Sequence, residues 1–188
     1  DVRRLGCDLF SISSHKIHGP KGAGALYVKK GTKLQSPVVG GGQEKDIRPG
    51  TEPMPAIAGF YGAVKALKIN ESYEKLLSLR SYLTDGLKKI PEVVINSAED
   101  ALPYIVNISL PSLPSEAVLN LLSDMEIYVS SGSACSKGHQ SPVLTAAGLD
   151  SKLINSSLRI SLSRFTEKEE IDYLLKGLQT ALKVIRRK

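Results

Sequence analysis

The sequence predicts an α/β chain in two parts, on three observations. Short runs rich in β-branched and aromatic residues alternate with longer stretches whose apolar residues recur at helical spacing. A segment dense in glycine and charge, from Gly40 to Thr51, follows the first two of those runs. From about Glu92 onward the texture changes to shorter strands and helices in succession. A boundary in the long helical region gives a first domain over 1–70 and a second, small α/β domain over 71–188.

Taken in order, Asp8-Leu-Phe-Ser-Ile-Ser13 predicts a strand, and Gly24-Ala-Leu-Tyr-Val28 a second one returning after a Gly/Pro turn. Gly40-Gly41-Gly42-Gln43-Glu44 through Arg48-Pro49-Gly50-Thr51 predicts an irregular segment. Ile57, Phe60, Tyr61, Val64 and Leu67 define one helical stripe; Tyr73, Leu76, Leu77, Leu83 and Leu87 define another, ended by Pro91. The two stretches read as core-facing helices, or as one long helix bent near Ile69-Asn70. Val93 to Ile95, Tyr104 to Leu110 and Ile127 to Ser130 predict strands, and Ser115 to Met125 a helix. Ser141-Pro142 supplies an N-cap and a first-turn proline for a short helix. Leu158, Ile160 and Leu162 alternate with Arg159, Ser161 and Ser163, a strand with one buried face. Thr166 and Glu169 form a capping box that opens a last helix, with Ile171, Leu174, Leu175, Leu178, Leu182 and Ile185 as its core stripe.

Composition narrows the function classes. With 188 residues and 41% hydrophobic content the chain can bury a core. The formal charge of +6 comes from dispersed lysines and arginines, the one run being Arg186-Arg187-Lys188, a solvated helix end. This argues against direct nucleic-acid binding. The two cysteines, Cys7 and Cys135, make no disulfide framework, and His15, His18 and His139 are too scattered for a metal site. No apolar run approaches a membrane span and no signal peptide opens the chain, so a cytoplasmic compartment and no membrane partner are expected.

Two segments carry chemistry. In Ser13-Ser14-His15-Lys16, followed by Gly19-Pro20-Lys21-Gly22, a lysine stands among hydroxyls and an imidazole. A free lysine amine titrates at about 10.4 and is a poor nucleophile, but as an imine to an aldehyde cofactor it becomes a tether and an acid/base group. If the segment stays extended, Ser13 and His15 face one side and Lys16 the other. Taken alone, the segment favours a surface lysine beside a turn. Gly19, Gly22 and Gly24 do not make a phosphate loop, because the Gly-Lys-Ser/Thr ending is missing and a strand follows.

The second segment is Ser130-Ser131-Gly132-Ser133-Ala134-Cys135. Its small, polar neighbours favour an exposed thiol over a buried filler, and Lys137 and His139 can favour the thiolate. Cys7, opening an apolar stretch, reads as the filler. Arg159 suits bidentate grip of a carboxylate, with a plain solvated arginine an equally good reading of that position.

Together these segments resemble the cysteine desulfurase family. The Ser13-to-Gly22 segment is similar to its lysine segment, and Gly40 to Thr51 to the loop after it. Ser130 to Cys135 resembles its catalytic cysteine loop, of the longer NifS/IscS type, and Ser157-Leu158-Arg159-Ile160-Ser161 its substrate-arginine strand. The resemblance spans nearly the whole chain. It implies the end of a fold-type I pyridoxal 5'-phosphate (PLP) transferase large domain, followed by a small α+β C-terminal domain with the cysteine loop. It also implies PLP as cofactor, with Lys16 as its tether and the shuttle for the substrate α-proton. Ser13 and His15 would bind the cofactor phosphate. Thr51 would reach the neighbouring subunit's cofactor, hence a homodimer. Arg159 would hold the carboxylate of L-cysteine. Cys135 would take the sulfur as a persulfide, leaving alanine, and pass it to an iron–sulfur scaffold or a tRNA thiolation protein.

The family's aspartate that pairs with the pyridine nitrogen and its stacking histidine lie upstream of the lysine, and only fifteen residues precede Lys16 here. Asp8 is too near Lys16 to be that aspartate. The expectation is a C-terminal portion, inactive or nearly so alone. Other readings are a selenocysteine lyase, kynureninase or phosphoserine aminotransferase, the last two disfavoured by the cysteine loop. A non-catalytic dimerisation or interaction module and a basic nucleic-acid module complete the set.

Overall fold

Strand alternation and helical stripes sort this chain into a part that buries a core and a part that does not. The computed structural model describes residues 1–131 and 141–185. The chain divides into two compact units, Asp1–Lys68 and Ile69–Lys188.

In the first unit a short helix α1 (Val2–Leu5) leads into strand β1 (Leu9–Ser13), which pairs antiparallel with β2 (Gly24–Val28) from Leu9↔Val28 to Ser13↔Gly24. The segment to Thr51 is irregular, as its glycines predict, with a 3-10 turn over Gln43–Asp46 in which Glu44, Lys45 and Asp46 all have positive φ. Helix α2 (Met54–Lys65) follows. The sequence predicts a core-facing stripe on this helix, yet none of its residues is buried, and Ile57, Tyr61 and Val64 are exposed. The physical reason is area: a two-stranded hairpin has too little surface to cover a helix. Leu9, Phe10, Ile12 and Leu26 on the hairpin are exposed as well.

The second unit opens with α3 (Ile69–Leu87), separate from α2. Strands β3 (Val94–Ile95) and β4 (Ile105–Ser109), helix α4 (Ser115–Asp124) and strand β5 (Ser130–Ser131) follow. Helices α5 (Pro142–Ala146) and α6 (Ser151–Asn155), strand β6 (Ser157–Ser161) and helix α7 (Lys168–Val184) complete it. The sheet runs β3-β4-β6-β5, antiparallel throughout. Val106, Ile108, Leu158 and Ile160 point from one face into a cluster with Leu79, Leu83 and Leu87 of α3, Val118 and Leu122 of α4, and Ile171, Leu174 and Leu178 of α7. Gly177 lets α7 approach: a Cβ there would lie 2.7 Å from Leu122 Cδ2 and 2.8 Å from Ile127 Cδ1.

Four details depart from the sequence reading. On α3, Tyr73 and Leu77 are exposed while Leu79 and Arg80 are buried, because Arg80 finds carbonyl partners inside. Ile127 to Val129 lie outside the ladder, where Glu126 at φ 59 turns the chain out of α4. The capping box falls one residue later than predicted, on Glu167 and Glu170, because the Thr166 hydroxyl is already accepting from Ser163 N–H at 3.0 Å. Helix α6, capped by Asp150 Oδ1 accepting from Leu153 N–H at 2.8 Å, has no counterpart among the predicted elements.

Candidate active site

Lys16 sits on a turn that its neighbours lock. Ser13 is still extended (φ −112, ψ 127), but Ser14–Ile17 wind into a 3-10 turn closed by His18 at φ 65. This replaces the extended geometry that would have set Lys16 opposite Ser13 and His15. Ser14 N–H donates to Ala23 C=O and Gly19 N–H to Ser14 C=O, each at 3.0 Å. Ser14 is fully buried, its Oγ without a partner, and a Cβ on Gly19 would collide with that oxygen. The turn therefore needs glycine at position 19. Around this anchor Ser13, His15 and Lys16 are exposed. A phosphate-bearing aldehyde needs one amine and several donors close together, and this donor set fits that need.

Thr51 is exposed beside an open groove of about 860 Å³ in the same unit, lined also by Gly24, Leu26, Arg48, Glu52 and Ile57. Gly50 N–H donates to Gln43 Oε1 at 3.1 Å and closes this loop. Ser13, His15 and Lys16 do not line the groove.

Arg159 lies on β6, exposed between the inward-facing Leu158 and Ile160. Its Nη2 donates to Ser130 Oγ at 3.4 Å, across the register pair Ser130↔Arg159. On the other side Asn107 of β4 stands opposite Arg159. Cys135, Lys137 and His139 lie outside the described residues.

Sequence reasoning missed the polar residues beside Arg159. Asn96 Nδ2 donates to Asn107 Oδ1 and to Ser109 Oγ, each at 2.7 Å, and Ser109 Oγ donates to Leu153 C=O at 2.7 Å. The signal was present, since Asn107 and Ser109 alternate with the apolar Val106, Ile108 and Leu110. The hydrogen bond and charge of Asp8, 2.8 Å away, raise Lys29, and a hydrogen bond to Asp172 raises Tyr82. Among the described residues no cluster suits a metal ion, and no helix is long and apolar enough to cross a membrane.

A locked lysine turn, and an arginine on the open face of a helix-backed antiparallel sheet, fit a transferase of the PLP class. Residues 1–174 match the aminotransferase class-V family, and the chain belongs to it. Members of that family are PLP-dependent enzymes. Over 99% of this chain, 42% of residues are identical to the cysteine desulfurase IscS of Vibrio vulnificus, covering 47% of that protein. The mitochondrial cysteine desulfurase of Candida albicans is 40% identical over 100% of this chain and 40% of its own length. The solved NifS-like protein of Rickettsia africae superposes with a TM-score of 0.87 at 36% identity, over 98% of this chain and 50% of that one. The chain thus spans about half the length of the relatives it matches.

Proposed function

We propose that this chain is the C-terminal portion of a cysteine desulfurase, which takes sulfur from L-cysteine, releases L-alanine and holds the sulfur as a persulfide on Cys135. The observation that carries this reading is identity of 42% with a cysteine desulfurase along 99% of the chain. Residues 1–70 belong to the large cofactor domain and 71–188 to the small domain that brings Arg159 and Cys135.

PLP, when bound, supplies the electron sink that lets the substrate lose its α-proton and its sulfur. Lys16 would tether it and move the α-proton at its Nζ, while Ser13 and His15 would hold its phosphate. Arg159 orients the substrate by its carboxylate through two parallel N–H bonds. The Cys135 thiolate forms a bond to the substrate sulfur as the carbon–sulfur bond breaks. The carbon fragment gains a proton and leaves as alanine, so the products are one alanine and one protein persulfide. Thr51 acts across a homodimer on the partner's phosphate. The persulfide passes to an acceptor protein, an iron–sulfur scaffold or a tRNA thiolation protein, in the cytoplasm.

The test joins this chain to the remaining half of the class-V fold, adds PLP and L-cysteine, and measures alanine and protein-bound sulfur together. Equal amounts of both are expected in a single turnover. Cys135→Ala abolishes the persulfide and Lys16→Ala abolishes both products. Full activity in Cys135→Ala points instead to a related class-V transferase.

A further inference from the structure

The face of the sheet turned away from α3, α4 and α7 carries a transverse polar row. Asn96, directly after β3, Asn107 on β4, Arg159 on β6 and Ser130 on β5 are successive neighbours across all four strands. Directly opposed residues in a sheet share a face. The spacing at the centre of the row is close. Asn107 spends its main-chain groups on the β3 side, accepting from Asn96 N–H at 2.9 Å and donating to Ser97 Oγ at 2.8 Å. Asn107↔Arg159 is therefore a non-hydrogen-bonded pair, the type with Cα atoms about 4.5 Å apart and side chains nearest each other.

The direction of the hydrogen bonds fixes the Asn107 amide. A carbonyl can only accept, so Ser109 Oγ must donate its one hydrogen to Leu153 C=O. Ser109 Oγ then accepts, so the group facing it from Asn96 must be the NH2 end. The second hydrogen of that NH2 goes to Asn107, which must present its Oδ1. Ser109 is fully buried and Asn107 half-buried, so the chain is held inside the protein. With Oδ1 turned to β3, the planar amide carries its Nδ2 hydrogens away from β3, and β6 with Arg159 lies on that side. No acceptor for Nδ2 is found among the described residues.

We infer that Asn107 Nδ2 is a second donor to the substrate carboxylate beside Arg159, oriented by the Asn96–Ser109–Leu153 chain. This rests on the reading of Arg159 as the carboxylate holder. The arrangement pairs a charged fork with a neutral donor whose direction is set before substrate arrives, which lowers the cost of ordering it on binding.

The experiment uses the chain joined to the remaining half of the fold, loaded with PLP. Calorimetry measures the Kd of L-alanine and of cysteamine, which has no carboxylate. Asn107→Ala is expected to weaken L-alanine roughly 10- to 100-fold, the weight of a hydrogen bond to a charged acceptor, and to leave cysteamine unchanged. Asn107→Asp keeps the acceptor for Asn96, hence the fold, and sets an anion beside Arg159; it should weaken L-alanine further. Arg159→Lys separates the two levels. If it leaves L-alanine unchanged, the reading of Arg159 fails and the inference falls with it. If Arg159→Lys weakens L-alanine while Asn107→Asp does not, the inference alone is overturned. An equal loss for both ligands in Asn107→Ala would assign Asn107 a purely structural part and also overturn it.

Discussion

Arg80 offers a direct test of how the second unit is held together. It lies on α3 with 7% of its surface exposed. Nη1 donates to the carbonyls of Ala101 and Leu102 at 2.6 and 2.7 Å, and Nη2 to that of Ala98 at 2.5 Å. One guanidinium thus closes the turn between β3 and β4, where three carbonyls converge. Arg80→Met keeps most of the stem's packing and removes every donor. A buried carbonyl left without a partner costs about 1–3 kcal/mol. Glu99, Asp100 and Leu102 are exposed, so water can reach this turn and the low end applies. Three carbonyls at about 1 kcal/mol each give a loss of about 3 kcal/mol. Removing a buried charge returns some desolvation energy, which keeps the sum from rising higher. For a chain of this size each kcal/mol moves Tm by about 2–4 °C, so a fall of about 6–12 °C is expected. Urea unfolding followed by circular dichroism reads the free energy directly. Arg80→Lys should fall between the two, because a point-like ammonium cannot span three carbonyls. A loss under about 1 kcal/mol in Arg80→Met would refute the reasoning, since the guanidinium would then be a spectator.

Leu83 is fully buried among α3 and α7 residues, and Leu83→Ala should cost about 2–5 kcal/mol in urea unfolding. Residues 69–188 expressed alone should unfold cooperatively and retain slow amide exchange in β4 and β6, whereas 1–68 alone should show neither; a cooperative transition in 1–68 would contradict the absence of a core there. Tyr82 titrates above the usual phenol range because its O–H donates to Asp172 at 2.7 Å, so the bond stabilises the fold below about pH 10 and is lost as pH rises through the raised value. Asp172→Asn should move that tyrosine down in an absorbance titration, and no movement would deny the bond.

Legibility from sequence followed which interactions are local. Gly24–Val28 was readable to the residue, because a short apolar run and the Gly/Pro turn before it are local properties of the chain. Ser141 capping α5 was readable for the same reason, its Oγ accepting from Leu144 N–H at 3.4 Å. Failures came where a distant partner decided the outcome. Arg80 counts as polar in any stripe, and only the carbonyls of residues 98–102, reached through the fold, turn it inward. Thr166 lost the N-cap to Glu167 because Ser163 claimed its hydroxyl. Within the candidate site, Lys16 and Arg159 stood out by residue type. Asn107 did not, because its meaning lies in a register partner on another strand, 52 positions away by the pairing Asn107↔Arg159.

The apolar residues of the first unit carry one further consequence. Leu9, Phe10 and Ile12 are consecutive or near neighbours on β1, so they project from both faces of the hairpin, and all are exposed. Phe10 and Ile12 share one face while Leu9 shares the other with Ser11 and Ser13, and the face of Phe10 and Ile12 calls for a covering layer. The same residues that made β1 easy to recognise therefore describe a layer that this unit does not bury by itself. In the second unit β6 alternates apolar with polar residues and β4 does so from Val106 onward, and the apolar face they share is covered by α3, α4 and α7. Stability is thus concentrated in the unit that bears Arg159, whereas the Lys16 turn rests on a few local bonds around buried Ser14. Substitutions in the core of the second unit should register mainly as changes in unfolding free energy. Substitutions at Ser14 or Gly19 should register first as loss of the geometry that presents the lysine amine.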